Sequence, residues 1–150
     1  MADLERPHAH AYERVGFLLL RRSQSDVSTI LQGVVYLPVA DEHYIVSQDV
    51  GAIINANAIR AAMQAALSDA WSVLHVHLHN HGGRPHFSPT DFRSLSELVP
   101  SFFGVAPGPH GALVFSRNKA ACLIWTEPSA RPEPASRVMI VGFPMKLLEG

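Results

Sequence analysis

Five of the nine histidines in this 150-residue chain, His75, His77, His79, His81 and His86, fall in one short stretch. The first four alternate with Val76, Leu78 and Asn80. On a β-strand, alternate residues project to the same side about 6.5–7 Å apart, so neighbouring imidazoles of this series can close on one metal ion. A single strand histidine is ordinary. Several on one face have no packing role, because burying unpaired imidazoles is costly. Neutral imidazole is a good zinc ligand, and a third ligand with an open fourth position makes such a site catalytic rather than structural. Asp91 offers an oxygen ligand. It ends the run Ser88-Pro89-Thr90-Asp91, which reads as the start of a helix, a place that favours a carboxylate.

Zinc held by two histidines and an aspartate brings the pKa of its water down to about 7, and the released proton then needs a carrier. Glu97 fits a solvated helix face. Glu13 is better placed, in Glu13-Arg14-Val15-Gly16-Phe17-Leu18-Leu19, just before an apolar strand and with a glycine three residues on.

Glu-x-x-Gly before an apolar strand, His-x-His on a strand and Ser-x-x-Asp opening a helix, in that order, resemble the JAMM (JAB/MPN-domain) metalloprotease family. The resemblance covers most of the chain, from Glu13 to the last strand. It implies an MPN/JAB-like, cytidine-deaminase-like α+β fold: a central mixed sheet flanked by a few helices. It implies that His77, His79 and Asp91 hold Zn2+ and that Glu13 is the general base, passing a proton from water to the leaving amine. Ser88 would steady the oxyanion while capping the helix that carries Asp91. The implied substrate is a ubiquitin-like protein or its conjugates, cut after the C-terminal tail. In size the chain is most similar to the small bacterial deubiquitinase-like JAB proteins of ubiquitin-like conjugation operons, several of them in antiphage defence. The chain departs from the family after the second histidine, where Asn80 replaces the usual proline. Eight residues separate His79 from Ser88, one more than the family spacing. Taking His79 and His81 as the pair leaves six, one fewer. His77 and His79 are preferred because they lie deeper in the strand, with Gly82-Gly83 free to absorb an insertion. His75 and His81 then stand behind or beside the ligands.

His75, His77 and His79 also resemble the nucleophilic strand of histidine-triad nucleotide hydrolases. That reading leaves Glu13, Ser88 and Asp91 without roles, and Ala61 to Ala70 reads as helix where that family has a strand. A cupin needs a glutamate soon after the His-x-His, and a zinc deaminase needs Pro-Cys-x-x-Cys; neither is present. An MPN scaffold without activity is the non-enzymatic alternative, but here all the ligand types remain.

The elements that must position these residues follow from period and punctuation. Val15–Arg22 and Ile30–Val39 read as strands, with turn chemistry at Ser23–Asp26 and a short third candidate at His43–Ser47. Asn57 is the expected N-cap of a helix to about Ala70, with Ile59, Met63, Ala66 and Leu67 at helical spacing. Trp71–His79 alternates: Val73, His75, His77 and His79 share one face, with Ser72, Leu74, Val76 and Leu78 on the other. Ser88 opens a second helix, with Pro89 at its first position, expected to stop near Pro100. Ala112–Ser116 and Ala121–Thr126 form a hairpin, Glu127–Ser136 a proline-bearing loop, and Val138–Phe143 a last strand. The order βββ-α-β-α-βββ belongs to a single α+β domain over residues 1–150.

Composition agrees. The chain is 47% hydrophobic and 17% charged, with a formal net charge of −1, so no basic field draws it to nucleic acid or membrane. One cysteine, Cys122, excludes a disulfide framework and a four-cysteine zinc site, and reads as a buried strand residue. Apolar runs are far shorter than the ~20 residues of a membrane helix, and no signal peptide is visible, so a cytoplasmic location is expected. Trp71 and Trp125 read as packing residues, Arg21-Arg22 as a solvated strand end, and His110 as an outside candidate for the substrate groove.

Overall fold

The computed structural model describes residues 2–7, 11–46, 51–79, 83–116, 119–141 and 146–148. The early apolar, β-branched runs form β1 (Val15–Gln24) and β2 (Thr29–Pro38), paired antiparallel with a shift of register between Leu19 and Leu20. A 3-10 turn at Asp41–His43 leads to β3 (Tyr44–Ile45), which pairs with β4 (Ile53–Ile54) in a small separate ribbon. Two-residue strands carry too little alternation to be read from sequence, so β4 has no forerunner there. Helix α1 (Ala56–Leu67), β5 (Ser72–Leu78), α2 (Pro89–Phe102), β6 (His110–Phe115) and β7 (Ala120–Trp125) follow. β8 (Glu133–Pro134) interrupts the expected loop, and β9 (Val138–Ile140) pairs with β10 (Lys146–Leu148). Gly142 and Phe143, the end of the expected last strand, lie outside the described residues.

Six strands form one mixed sheet in the order β2-β1-β5-β6-β7-β8. Only β5 and β6 run parallel. They are joined through α2, because parallel neighbours need a crossover. One face of the sheet carries Phe17, Leu19, Val73, Ala112 and Val114 against Ala58, Ala62 and Ala66 of α1 and Leu95, Val99 and Phe102 of α2. The other face packs Leu20, Leu74, Val76, Leu113 and Cys122 with Leu4 and Leu148. Both helices therefore cover the histidine-bearing face, and β5 is buried from two sides.

Three helix ends differ from expectation. The N-cap of α1 is Asn55, whose Oδ1 accepts from the backbone N–H groups of Asn57 and Ala58; Asn57 instead takes a hydrogen bond from Arg60. α1 stops at Leu67, short of Ala70, whose φ of 51° is left-handed and cannot continue the helix. α2 runs through Pro100 to Phe102. Phe102 is fully buried, edge-on to Phe17 at 6.2 Å and 5.7 Å from the His110 ring. Burying such a ring is worth about 1.5–3 kcal/mol, enough to offset a proline near a helix end. Among the described residues no helix is long and apolar enough to cross a membrane.

Candidate metal centre

The site is built by strand register. β1 and β5 pair antiparallel with Val15 opposite His77 and Phe17 opposite His75. Moving two residues back from Val15 and two forward from His77 keeps to the same face and sets Glu13 against His79. Glu13 Oε1 is 3.8 Å from His79 Nε2. One ligand atom from each of Glu13, His77 and His79 lies within 4.8 Å of the others. The His79 N–H donates to the Phe115 carbonyl at 2.8 Å, carrying the β5–β6 pairing one step past the strand and fixing the ring at its mouth. His77 is 3% exposed; the His79 side chain is 12% and Glu13 26% exposed, so the group opens outward from a dry base.

The two imidazoles meet through Nε2 atoms 3.2 Å apart. Two nitrogens bound to one tetrahedral zinc at 2.0–2.1 Å stand about 3.3 Å apart, so the pair is already spaced as ligands. Burial holds both inner rings neutral, the state that ligation needs. His77 is pushed down to about 3, by burial and then by the neighbouring His75, and His75 to about 4 by burial, with Asp91 opposing in both cases. The Nδ1 atoms of His75 and His77 are buried without a hydrogen-bond partner. A ligating histidine ordinarily donates through its far nitrogen, and this site lacks that support at His77. The donor set therefore fits a metal ion at Nε2 and leaves the rear of the rings dry.

Glu13 is held by its backbone and by an absence. Its N–H and that of Tyr12 both donate to the Gly51 carbonyl, at 3.1 and 2.9 Å. The carboxylate lies over Gly51, where a Cβ would come within 2.6 Å of Oε2. Arg14 points away and is buried, donating to Asp41 at 2.8 Å and to the carbonyls of Arg6 and Pro7. The Tyr44 hydroxyl accepts from the Val15 N–H at 2.9 Å and donates to the Val15 carbonyl at 3.2 Å. A Cβ on Gly16 would strike the Tyr36 ring, which gives the glycine of Glu-x-x-Gly a steric reason. Burial, and then the charge of Asp91, raise the Glu13 carboxyl to about 7.

Ser88 and Asp91 form the capping box read from the sequence. Ser88 Oγ accepts from the Asp91 N–H at 3.1 Å, and Asp91 Oδ2 accepts from the Ser88 N–H at 2.7 Å. Asp91 is not among the residues that gather in the Glu13–His77–His79 group, but its charge reaches Glu13 and His77. Phe87, buried beside Ser88, sets its ring 6.1 Å from that of His77 and so brings the start of α2 to the site. His75 lies behind, its ring 5.8 Å from His77 and edge-on to Phe17. His81 lies outside the described residues.

His110 has no place in a groove. It is fully buried, its Nδ1 accepting from the Val73 N–H and its Nε2 donating to the Ala106 carbonyl, both at 3.0 Å. The following strand, not a site, explains it. Conversely, Gly51, Tyr44 and Phe87 position the group without any sequence signal, because nothing local says that they face Glu13 or His77.

No family model matches this chain, and no curated protein matches it. What the structure itself gives is a mixed α+β sheet carrying a Glu-His-His group able to hold a metal ion.

Proposed function

We propose that this protein is a zinc-dependent isopeptidase or peptidase of JAMM type. It hydrolyses the bond that follows the C-terminal tail of a ubiquitin-like protein, in the cytoplasm of a bacterial conjugation system with a defensive role. The observation that carries this reading is the register-driven meeting of Glu13 with His77 and His79, whose Nε2 atoms are 3.2 Å apart. His77 and His79 would hold the zinc with Asp91 as the third ligand, and a zinc there would supply Lewis acidity toward a water and the amide carbonyl. Glu13, raised to about 7, suits the task of taking the water's proton near neutral pH and handing it to the departing amine. Ser88 Oγ accepts from the Asp91 N–H, which leaves its own hydrogen free for a developing oxyanion.

The test is metal content by elemental analysis beside turnover of a ubiquitin-like fusion. Wild type should carry about one zinc per chain. Glu13→Ala should keep the zinc and lose turnover, whereas His79→Ala and Asp91→Ala should lose both. Zinc lost from Glu13→Ala would make that carboxylate a ligand rather than the base. A wild type that takes up no zinc ends the metalloprotease reading.

A further inference from the structure

A groove of about 660 Å³ lies along the β7 side of the sheet. Two of its lining residues neighbour the metal-binding group: the His86 ring lies 6.3 Å from that of His79, and the Phe87 ring 6.1 Å from that of His77. The groove wraps the first half of β7, with Ala121 on the histidine-bearing face and Cys122 on the other, and is closed opposite by the segment from Pro134 to Val138. Among the described residues, β8 pairs only with Leu123 and Ile124, and the Ala135 N–H reaches the Cys122 carbonyl at 3.0 Å, so no described strand pairs with the outer edge of β7 at Ala120 and Ala121. Through the pairs His77–Val114 and Val114–Ala121 that edge lies two strands, about 10 Å, from the ligand strand.

Its chemistry is one-sided. Arg84 and Arg137, both exposed, are the only charged groups among the described lining residues, and neither has an ion-pair partner among the described residues. The loop bearing Arg84 is pinned where Ser116 Oγ donates to the Gly83 carbonyl at 2.8 Å. An open strand edge accepts an extended backbone, small wall residues admit it closely, and a cationic rim favours carboxylates. We infer that this groove binds an extended acidic peptide segment, its carboxylates meeting Arg84 and Arg137 and its chain leading past His86 to Glu13, His77 and His79. The inference rests on the hydrolase reading and gives it a substrate class: a target whose sequence beside the cleaved bond is acidic and built of small residues.

Rhodamine-labelled octapeptides of alternating Glu and Ala, Gln and Ala, or Lys and Ala, titrated by fluorescence anisotropy with and without zinc, provide the test. The Glu/Ala peptide should bind, more weakly as salt rises, with the Gln/Ala peptide about five- to tenfold weaker and the Lys/Ala peptide weakest. Arg84→Gln with Arg137→Gln should bring Glu/Ala binding down to the Gln/Ala level without moving the melting temperature. Ser136→Trp, which fills the exposed groove wall, should weaken all three. Equal binding of the Glu/Ala and Lys/Ala peptides, indifference to the arginine or tryptophan changes, or no binding at all overturns the proposal. Peptide binding through the arginines in a protein that takes up no zinc leaves the groove standing and removes the hydrolase reading. Zinc uptake without peptide binding does the reverse.

Discussion

At the scale of single residues, the centre depends on how Glu13 is held. Gly51→Ala pushes a methyl against its carboxylate, the end of a flexible side chain, so the fold should survive while the carboxylate moves. Turnover should fall by about 10²-fold, the cost of misplacing a catalytic group by roughly an ångström, with zinc content and circular dichroism unchanged. A Gly51→Ala protein of full activity would show that the contact is incidental. The buried titrations make a second prediction, for the metal-free protein. His75 and His77 are lowered from 6.5 to about 4 and about 3, so on acidification the unfolded chain gains protons that the folded one refuses. Their stability is present above pH ~6.5 and lost as pH falls toward ~4, by up to about 1.4 kcal/mol per proton per pH unit. Glu13 opposes them. Raised from 4.5 to about 7, it gives its folding advantage in acid and loses it as pH rises through about 7. Urea melts from pH 7 to 4 should therefore show falling stability, and Glu13→Gln should make the fall steeper. A flat profile in both proteins would mean that the histidines titrate normally.

At the scale of elements, α2 begins beside the metal-binding group: Ser88 and Asp91 close its N-terminus, and Phe87 just before them sets its ring 6.1 Å from that of His77. Ser88→Ala removes the acceptor for the Asp91 N–H and should cost about 1 kcal/mol, or 2–4 °C in melting temperature. If the hydroxyl also serves the oxyanion, turnover should drop by a further 10²–10³-fold, roughly the cost of one such donor. Ser88→Thr keeps both cap and hydroxyl and should recover both. Recovery of melting temperature without recovery of turnover would confine Ser88 to its structural task. The capping box was legible because it is local: donors and acceptors three residues apart on one helix end. The ends of α1 and α2 were not, since Asn55 and Asn57 are both competent caps, and Pro100 yields only because Phe102 finds a place against Phe17.

At the scale of the molecule, zinc should stabilise the whole fold, because His77 and His79 are held at ligand spacing, buried and beside Glu13, only when the sheet has formed. Zinc at about a hundred times its dissociation constant adds about 2.7 kcal/mol, a rise of roughly 5–11 °C for a chain this long. Magnesium, which keeps its waters and prefers oxygen, should add nearly nothing. His79→Ala should abolish the zinc response; a response that persists would place the ion elsewhere.

Alternation, capping and residue chemistry are written in the order of residues along the chain. They set the histidine face of β5, the hairpin of β6 and β7, the Ser88–Asp91 cap and the supply of closely spaced imidazoles. These are relations between residues close along the chain, fixed by the periods of strand and helix. Tertiary structure decided which histidines have a partner. Only the antiparallel register of β1 on β5 brings Glu13 to His79 across more than sixty residues of chain, and only burial from both faces keeps His77 neutral. The same packing made His110, equally rich in chemistry as a residue type, a plain part of the core. Register and burial are properties of pairs of elements, and no single segment carries them.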